Sequence, residues 1–115
     1  DFLIASSEWF AFIPAKEYFD EPGDHADELE TSVMMHYHPE LVNLDEAGDG
    51  NYKKFASQML NEKVAWIPRN WQNVSQDTGI GNPKKASAGK GKKYAEAVVA
   101  KYALLFEELV HKELY

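Results

Sequence analysis

Asp24-His25-Ala26-Asp27-Glu28-Leu29-Glu30-Thr31-Ser32-Val33-Met34-Met35 is the stretch on which the reading of this 115-residue sequence turns. It follows Pro22-Gly23, a pair that interrupts regular structure, so a helix is expected to start close to Asp24, whose carboxylate can accept from the free amides of a first turn. Asp27, Glu28 and Glu30 then set negative charge near the positive end of the helix dipole. Ala26, Leu29, Val33 and Tyr37 recur at helical spacing as one buried stripe, and Pro39 ends the pattern.

Outward from this helix the chain alternates short apolar runs with loops. Phe2 to Ala5 suits a buried strand, and Trp9-Phe10-Ala11-Phe12-Ile13-Pro14 is an aromatic run stopped by proline. Lys16 to Gly23 mixes aromatics and acids as a loop, Asn43 to Lys54 is a polar surface excursion, and Val64 to Pro68 is a further extended segment. Asn70 to Lys85 carries Gly79, Gly81 and Asn82-Pro83, marks of a structured loop. A long last helix is expected from about Ser87 to about Lys112. Tyr94, Val98, Tyr102, Leu105 and Leu109 form its main stripe, widened by Val99, Phe106 and Val110. So broad an apolar face is expected to lie on a sheet, yet few residues here can form strands. The pattern describes part of an α/β layer whose sheet lies mostly elsewhere. The first residue is Asp1 rather than Met, and the chain opens straight into an apolar run, so a preceding N-terminal half is expected.

Composition narrows the function. With 44% hydrophobic and 27% charged residues the chain can build a core. A net charge of −7 argues against nucleic acid or an anionic membrane as partner, and is also what plain solubility requires. There is no cysteine, which removes disulfides, thiolate nucleophiles and thiolate metal sites. No window approaches the roughly 18 apolar residues of a membrane span.

Reactive side chains are densest from Asp24 to Ser32. On a helix His25 and Glu28 share a face, where a carboxylate can orient the imidazole for general acid–base work. By spacing alone, the same residues also describe an ordinary capped helix with a surface histidine. His36-Tyr37-His38 offers two imidazoles, but helical positions two apart point about 200 degrees apart, which opposes joint ligation of a metal. Gly79-Ile80-Gly81 fits a tight structural loop better than an anion cradle, and Lys84 to Lys93 a solvated helix start.

Three blocks resemble the creatininase (creatinine amidohydrolase) family. Asp24 to Met35 is similar to its pattern [E/D/G]-H-[A/G]-x-x-x-E-T-S-x-M-L, and His38-Pro39-Glu40-Leu41-Val42-Asn43-Leu44 to its R-P-D-L-V-D-L. Gly79-Ile80-Gly81-Asn82-Pro83-Lys84-Lys85-Ala86-Ser87 resembles G-[V/I]-x-G-[D/N]-P-x-x-A-[S/T], one residue shorter between Ile80 and Gly81. Gly89-Lys90-Gly91 stands where the family has E-K-G at the head of its last helix.

The resemblance implies a metal-dependent hydrolase of carbon–nitrogen bonds in a small cyclic or linear amide. It implies a three-layer α/β/α sandwich assembled as a homo-oligomer, commonly a hexamer, and a cytoplasmic location. Residues 1–115 would be the C-terminal portion of one such domain. The family holds two divalent ions, zinc, manganese or iron, through E-x-H, a following aspartate and an N-G-H-x-x-N type motif. None of these occurs here, so the ions are expected in the preceding half and no metal ligand in this chain. His25 matches the family's substrate-contacting catalytic histidine, with Asp24 at the adjacent acidic position. Glu30 matches the glutamate of E-T-S, expected to support the site alongside Glu28, and Trp9 lies about where the family has an aromatic near the substrate pocket. Glu21 stands four residues before His25, where creatininase itself has a tryptophan, so the resemblance does not extend to creatinine as substrate. A family deformylase, a precursor peptidase or a non-catalytic assembly module remain alternatives.

Overall fold

The computed structural model describes residues 3–113 and 115. Its frame is a pair of helices. Helix α1 runs Glu28–Tyr37, and α4 runs Ala88–His111. Between them lie 3-10 turns at Pro39–Leu41 and Leu44–Glu46 and two single-turn helices, α2 at Gln58–Asn61 and α3 at Trp71–Val74. A third 3-10 turn, Ala15–Glu17, precedes α1.

Helix α4 begins where the sequence places it, with the Ser87 side chain accepting from the Lys90 amide. Helix α1 starts later than expected. Its cap is Asp27, whose Oδ1 accepts from Glu30 N at 2.9 Å while Oδ2 accepts from Gly23 N. Asp24 is diverted to a different partner, Arg69. His25 and Ala26 therefore precede the helix, and the stripe expected to begin at Ala26 begins at Leu29.

The two helices cross at contact distance. Ser32 is fully buried, and its Oγ accepts from Ser87 N at 3.0 Å. A Cβ on Gly91 would collide with the Ser32 backbone carbonyl, so only glycine lets α4 approach this closely. One turn on, Tyr94 is wholly enclosed by Trp9, Tyr18 and Phe19 at edge-to-face geometry. Its hydroxyl reaches the carbonyls of Phe10 and Ile13 at 3.2 Å, satisfying the one polar atom it takes inside. Burial holds the Tyr94 phenol above its usual range. Ile13, Phe19, Leu29 and Val98 complete this core.

The expected strands do not form among the described residues. Leu3 to Ala5 and Val64 to Pro68 carry no ladder, and Trp9 to Ile13 is a series of turns laid over Tyr94. Phe2 of the first expected strand lies outside the described residues. The bridge between His25 and Ile80 is isolated. A strand needs a neighbour for its amides, and no sheet stands beside these segments. The C-terminal half of α4 is likewise bare: Phe106 is 62% and Val110 75% exposed. The radius of gyration, 16.9 Å, exceeds the roughly 13 Å of a compact domain of this length.

The helix crossing makes a direct prediction. Gly91→Ala in the full-length protein should cost about 1–3 kcal/mol, the usual penalty for overpacking, because its contact is backbone that cannot rotate away. Chemical denaturation checks it. Gly89→Ala, at an open position on the same helix, is the control and should not destabilise.

Candidate active site

The segment before α1 is held by the loop Gly79 to Gly81. Asp24 N and His25 N both donate to Ile80 O, at 2.8 and 3.0 Å, and Ile80 N donates back to His25 O at 2.8 Å. A Cβ on Gly81 would sit 2.7 Å from the Asp27 Cβ, so this loop lies against the helix cap. The backbone of His25 is thereby fixed on both polar groups.

Ala26 then turns the chain sharply into α1. Its φ is +47°, a left-handed conformation that costs a non-glycine residue about 1 kcal/mol or more. The turn is held by Glu30, whose Oε2 accepts from Ala26 N at 2.7 Å. That same oxygen lies 3.4 Å from His25 Nδ1. One carboxylate thus braces the strained turn and lies beside the imidazole. The His25 side chain is 43% exposed and so is open to a reactant.

The sequence missed two residues here. Trp71 packs on His25 with ring centroids 5.0 Å apart, tilted by 47°. The Arg69 guanidinium lies 5.4 Å from the Trp71 ring centre and pairs with Asp24 Oδ1 at 2.5 Å. Both residues come from a stretch with loop composition, Arg69 lying 45 residues from Asp24, and no local pattern points from there to His25. Glu30 with Ala26, Met34, Leu44 and Asp77 also lines a cavity of 420 Å³, while Asp24 and Arg69 border one of 250 Å³.

Of the expected site residues only Glu30 meets the His25 imidazole; the Asp24 carboxylate is taken by Arg69, and Glu28 and Trp9 have other neighbours. Glu28 is on the helix and His25 is not, so the two share no helical face, contrary to the spacing. The Glu28 carboxylate is completely enclosed, accepting from Glu21 N at 2.6 Å and from Lys90 Nζ. Lys90 also meets Asp20 at 2.8 Å. Trp9 packs edge-on against Phe10 and Tyr94 in the aromatic core. His36 lies against Tyr37, and His38 Nδ1 is 3.2 Å from Glu40. Among the described residues no three His, Asp or Glu side chains converge so as to hold a metal ion.

The Lys90 cluster predicts a pH response. Hydrogen bonds to Asp20 and Glu28 raise the Lys90 ammonium above its ordinary 10.5, and the bond to Lys90 lowers Asp20 below its ordinary 3.8. Lysine stabilisation is complete below its unfolded value and is lost as pH rises through the higher folded one. That of Asp20 is present above 3.8 and lost as pH falls through its depressed value. The melting temperature of the full-length protein should therefore fall at both extremes. Lys90→Met should lower it more at neutral pH than Lys85→Met, because the partner of Lys90 is a buried carboxylate and that of Lys85 is the exposed Glu21.

Residues 4–106 match the family described as "Creatininase: Creatinine amidohydrolase". A solved structure, a "Putative creatinine amidohydrolase" from Bacteroides fragilis NCTC 9343, is 59% identical over 100% of this chain, with a TM-score of 0.90. The alignment takes in 46% of that chain, so this chain spans less than half the length of its solved relative. No match was found among curated proteins.

Proposed function

The chain belongs to the creatininase family, and from that premise we propose that the full-length protein is an amidohydrolase cleaving a carbon–nitrogen bond of a cyclic or linear amide, with His25 as the reacting side chain this portion supplies. The observation that carries the proposal is the double anchoring of His25. Its backbone is paired with Ile80 and its Nδ1 lies 3.4 Å from Glu30, while the side chain stays 43% exposed, so the imidazole is restrained and open to a reactant. A positioned imidazole of this kind takes a proton from the attacking water and returns it to the leaving nitrogen. With the proton on Nε2 it also donates to the oxyanion of the tetrahedral intermediate. Glu30 acts through His25, as a positioning residue.

The dinuclear metal centre implied by the family has no ligand set among the described residues. We assign its ions to the preceding part of the protein, and the role of His25 is complete without a step through them. Residues 1–115 would then be the C-terminal portion of one three-layer α/β/α domain. The bare half of α4 and the exposed Val64 to Ile67 segment support this, because apolar faces of this extent need a cover. Further copies of the protein, up to the hexamer that the family suggests, would cover what the preceding half does not.

Two experiments test the proposal. His25→Ala in the full-length protein should lower kcat by about 10²- to 10⁴-fold, roughly 3–5 kcal/mol, while metal content and melting temperature persist. Loss of the ions would make His25 a ligand, and unchanged turnover would remove it from the reaction. The 115-residue chain expressed by itself should melt without a cooperative transition, and co-expression with the preceding half should restore one. A sharp two-state melt from a monomer of this chain would refute the division of the domain.

A further inference from the structure

The segment from Tyr52 to Arg69 reverses the sign of the chain. Against an overall net charge of −7 it carries Lys53, Lys54, Lys63 and Arg69 and a single acid, Glu62. The fold sets the acid apart. Glu62 is engaged with α2, accepting from Gln58 Nε2, while all four cations line the 250 Å³ cavity that also meets Asp24. Asp24 matches the charge of Arg69 alone. Among the described residues Lys53, Lys54 and Lys63 have no carboxylate within ion-pair distance. Three positive charges around this space are therefore uncompensated.

Backbone and side-chain bonds build this convergence. Asn61 Oδ1 accepts from Phe55 N at 3.1 Å, and its Nδ2 donates to Phe55 O at 2.8 Å, so the chain after Lys54 is fastened to α2. Lys53 N donates to Val74 O at 2.7 Å, which ties the same stretch to α3. Lys63 follows α2 in a left-handed conformation, φ +59°, that turns the chain as it leaves the helix. Like charges gathered in this way repel one another, and a bound anion relieves the repulsion. Arg69 spends its Nη2 on Asp24 and has further N–H donors to give. Half-buried Phe55 and Val74 and buried Ile80 are the apolar part of the lining, beside which a charge is less well screened than in open water. At 250 Å³ the cavity is smaller than the roughly 300–1,000 Å³ of a site for a whole drug-sized ligand.

We propose that this cavity is a binding site for a small oxyanion, the carboxylate or phosphate group of a small molecule, held by Lys53, Lys54, Lys63 and Arg69. The excess of positive charge selects an anion, and the size selects a single group. The site does not rest on the amidohydrolase reading, but it adjoins the segment on which that reading depends. Ile80 and Asp24 line the cavity, and the same two residues pair with and precede His25. The oxyanion belongs either to the amide substrate itself or to a separate ligand, and kinetics tell the two apart.

The test uses the full-length protein, with inorganic phosphate as the probe in calorimetry. Lys54→Gln and Lys63→Gln should each weaken phosphate binding by about 5- to 10-fold, and the double variant by more. Lys101→Gln, at an exposed lysine of α4, should leave it unchanged. The lysines are exposed, so the variants should fold, and melting temperature checks that they do. If the substrate supplies the oxyanion, the double variant raises KM for a carboxylate-bearing amide about tenfold relative to its uncharged analogue and leaves kcat in place. If a separate ligand supplies it, that ratio stays fixed while phosphate binding is still lost. Either result supports the site. It is overturned if phosphate shows no saturable binding, or binds the double variant as tightly as the wild type. Lysine-dependent phosphate binding in a protein that hydrolyses no amide would refute the hydrolase reading and leave the anion site standing.

Discussion

The crossing of α1 and α4 at Ser32 and Gly91 is the constraint on which the rest of the structure depends. It removes a side chain from one helix and spends a buried hydroxyl of the other on the amide of Ser87, the residue that caps α4. With the helices locked at this point, the residues on either side of Gly91 find their partners. Lys90 reaches the enclosed carboxylate of Glu28, and Tyr94 gathers the turns from Trp9 to Phe19. The N-terminal third of the described chain thus hangs on the first turns of α4. Among the described residues the last turns of the same helix have no such work, and Phe106 and Val110 there stay largely exposed.

Two glutamates two residues apart divide the labour of the first turn of α1. Glu28 points into the joint, where a lysine and a backbone amide compensate its charge. Glu30 points away, to the Ala26 turn and the imidazole, and remains about one-third exposed. The second and third residues of the Glu30-Thr31-Ser32 triplet have equally distinct tasks. Thr31 Oγ1 donates to Ala26 O at 3.4 Å, and Ser32 ties the helix to α4. The triplet is therefore a mechanical link. One end is set by the helix crossing and the other by the histidine, so a change in packing at Gly91 would be felt at the site.

How much of this was legible in the sequence depends on how local each cause is. The extent of α4 was, because its cap serine and apolar stripe lie within the helix itself. The start of α1 was displaced because Asp24 and Asp27 are both competent caps, and residues 24 and 25 are held instead by distant partners, their amides by Ile80 and the Asp24 carboxylate by Arg69. The role of Glu30 at His25 could be suspected from the family-like triplet, but the spacing favoured Glu28, since it presumes helix at residue 25. Trp71 carried no signal at all: it reaches His25 only by the tertiary contacts of α3. The expected strands share one reason for their absence. Apolar runs such as Val64 to Ile67 record a preference for extended backbone, but pairing requires a neighbouring strand, and among the described residues none stands beside them.

The left-handed turn at Ala26 has a consequence for how the site can be observed. Its amide donates to the very oxygen that faces the imidazole, so one backbone proton shares an acceptor with the proposed catalytic histidine. Anything that pulls the Glu30 carboxylate away leaves that amide without a partner and opens it to solvent. The rate at which the Ala26 amide exchanges for deuterium is therefore a gauge of the order around His25, readable in the resting protein with no substrate in hand. The same coupling makes the tightness of a backbone turn and the orientation of a side chain a single variable.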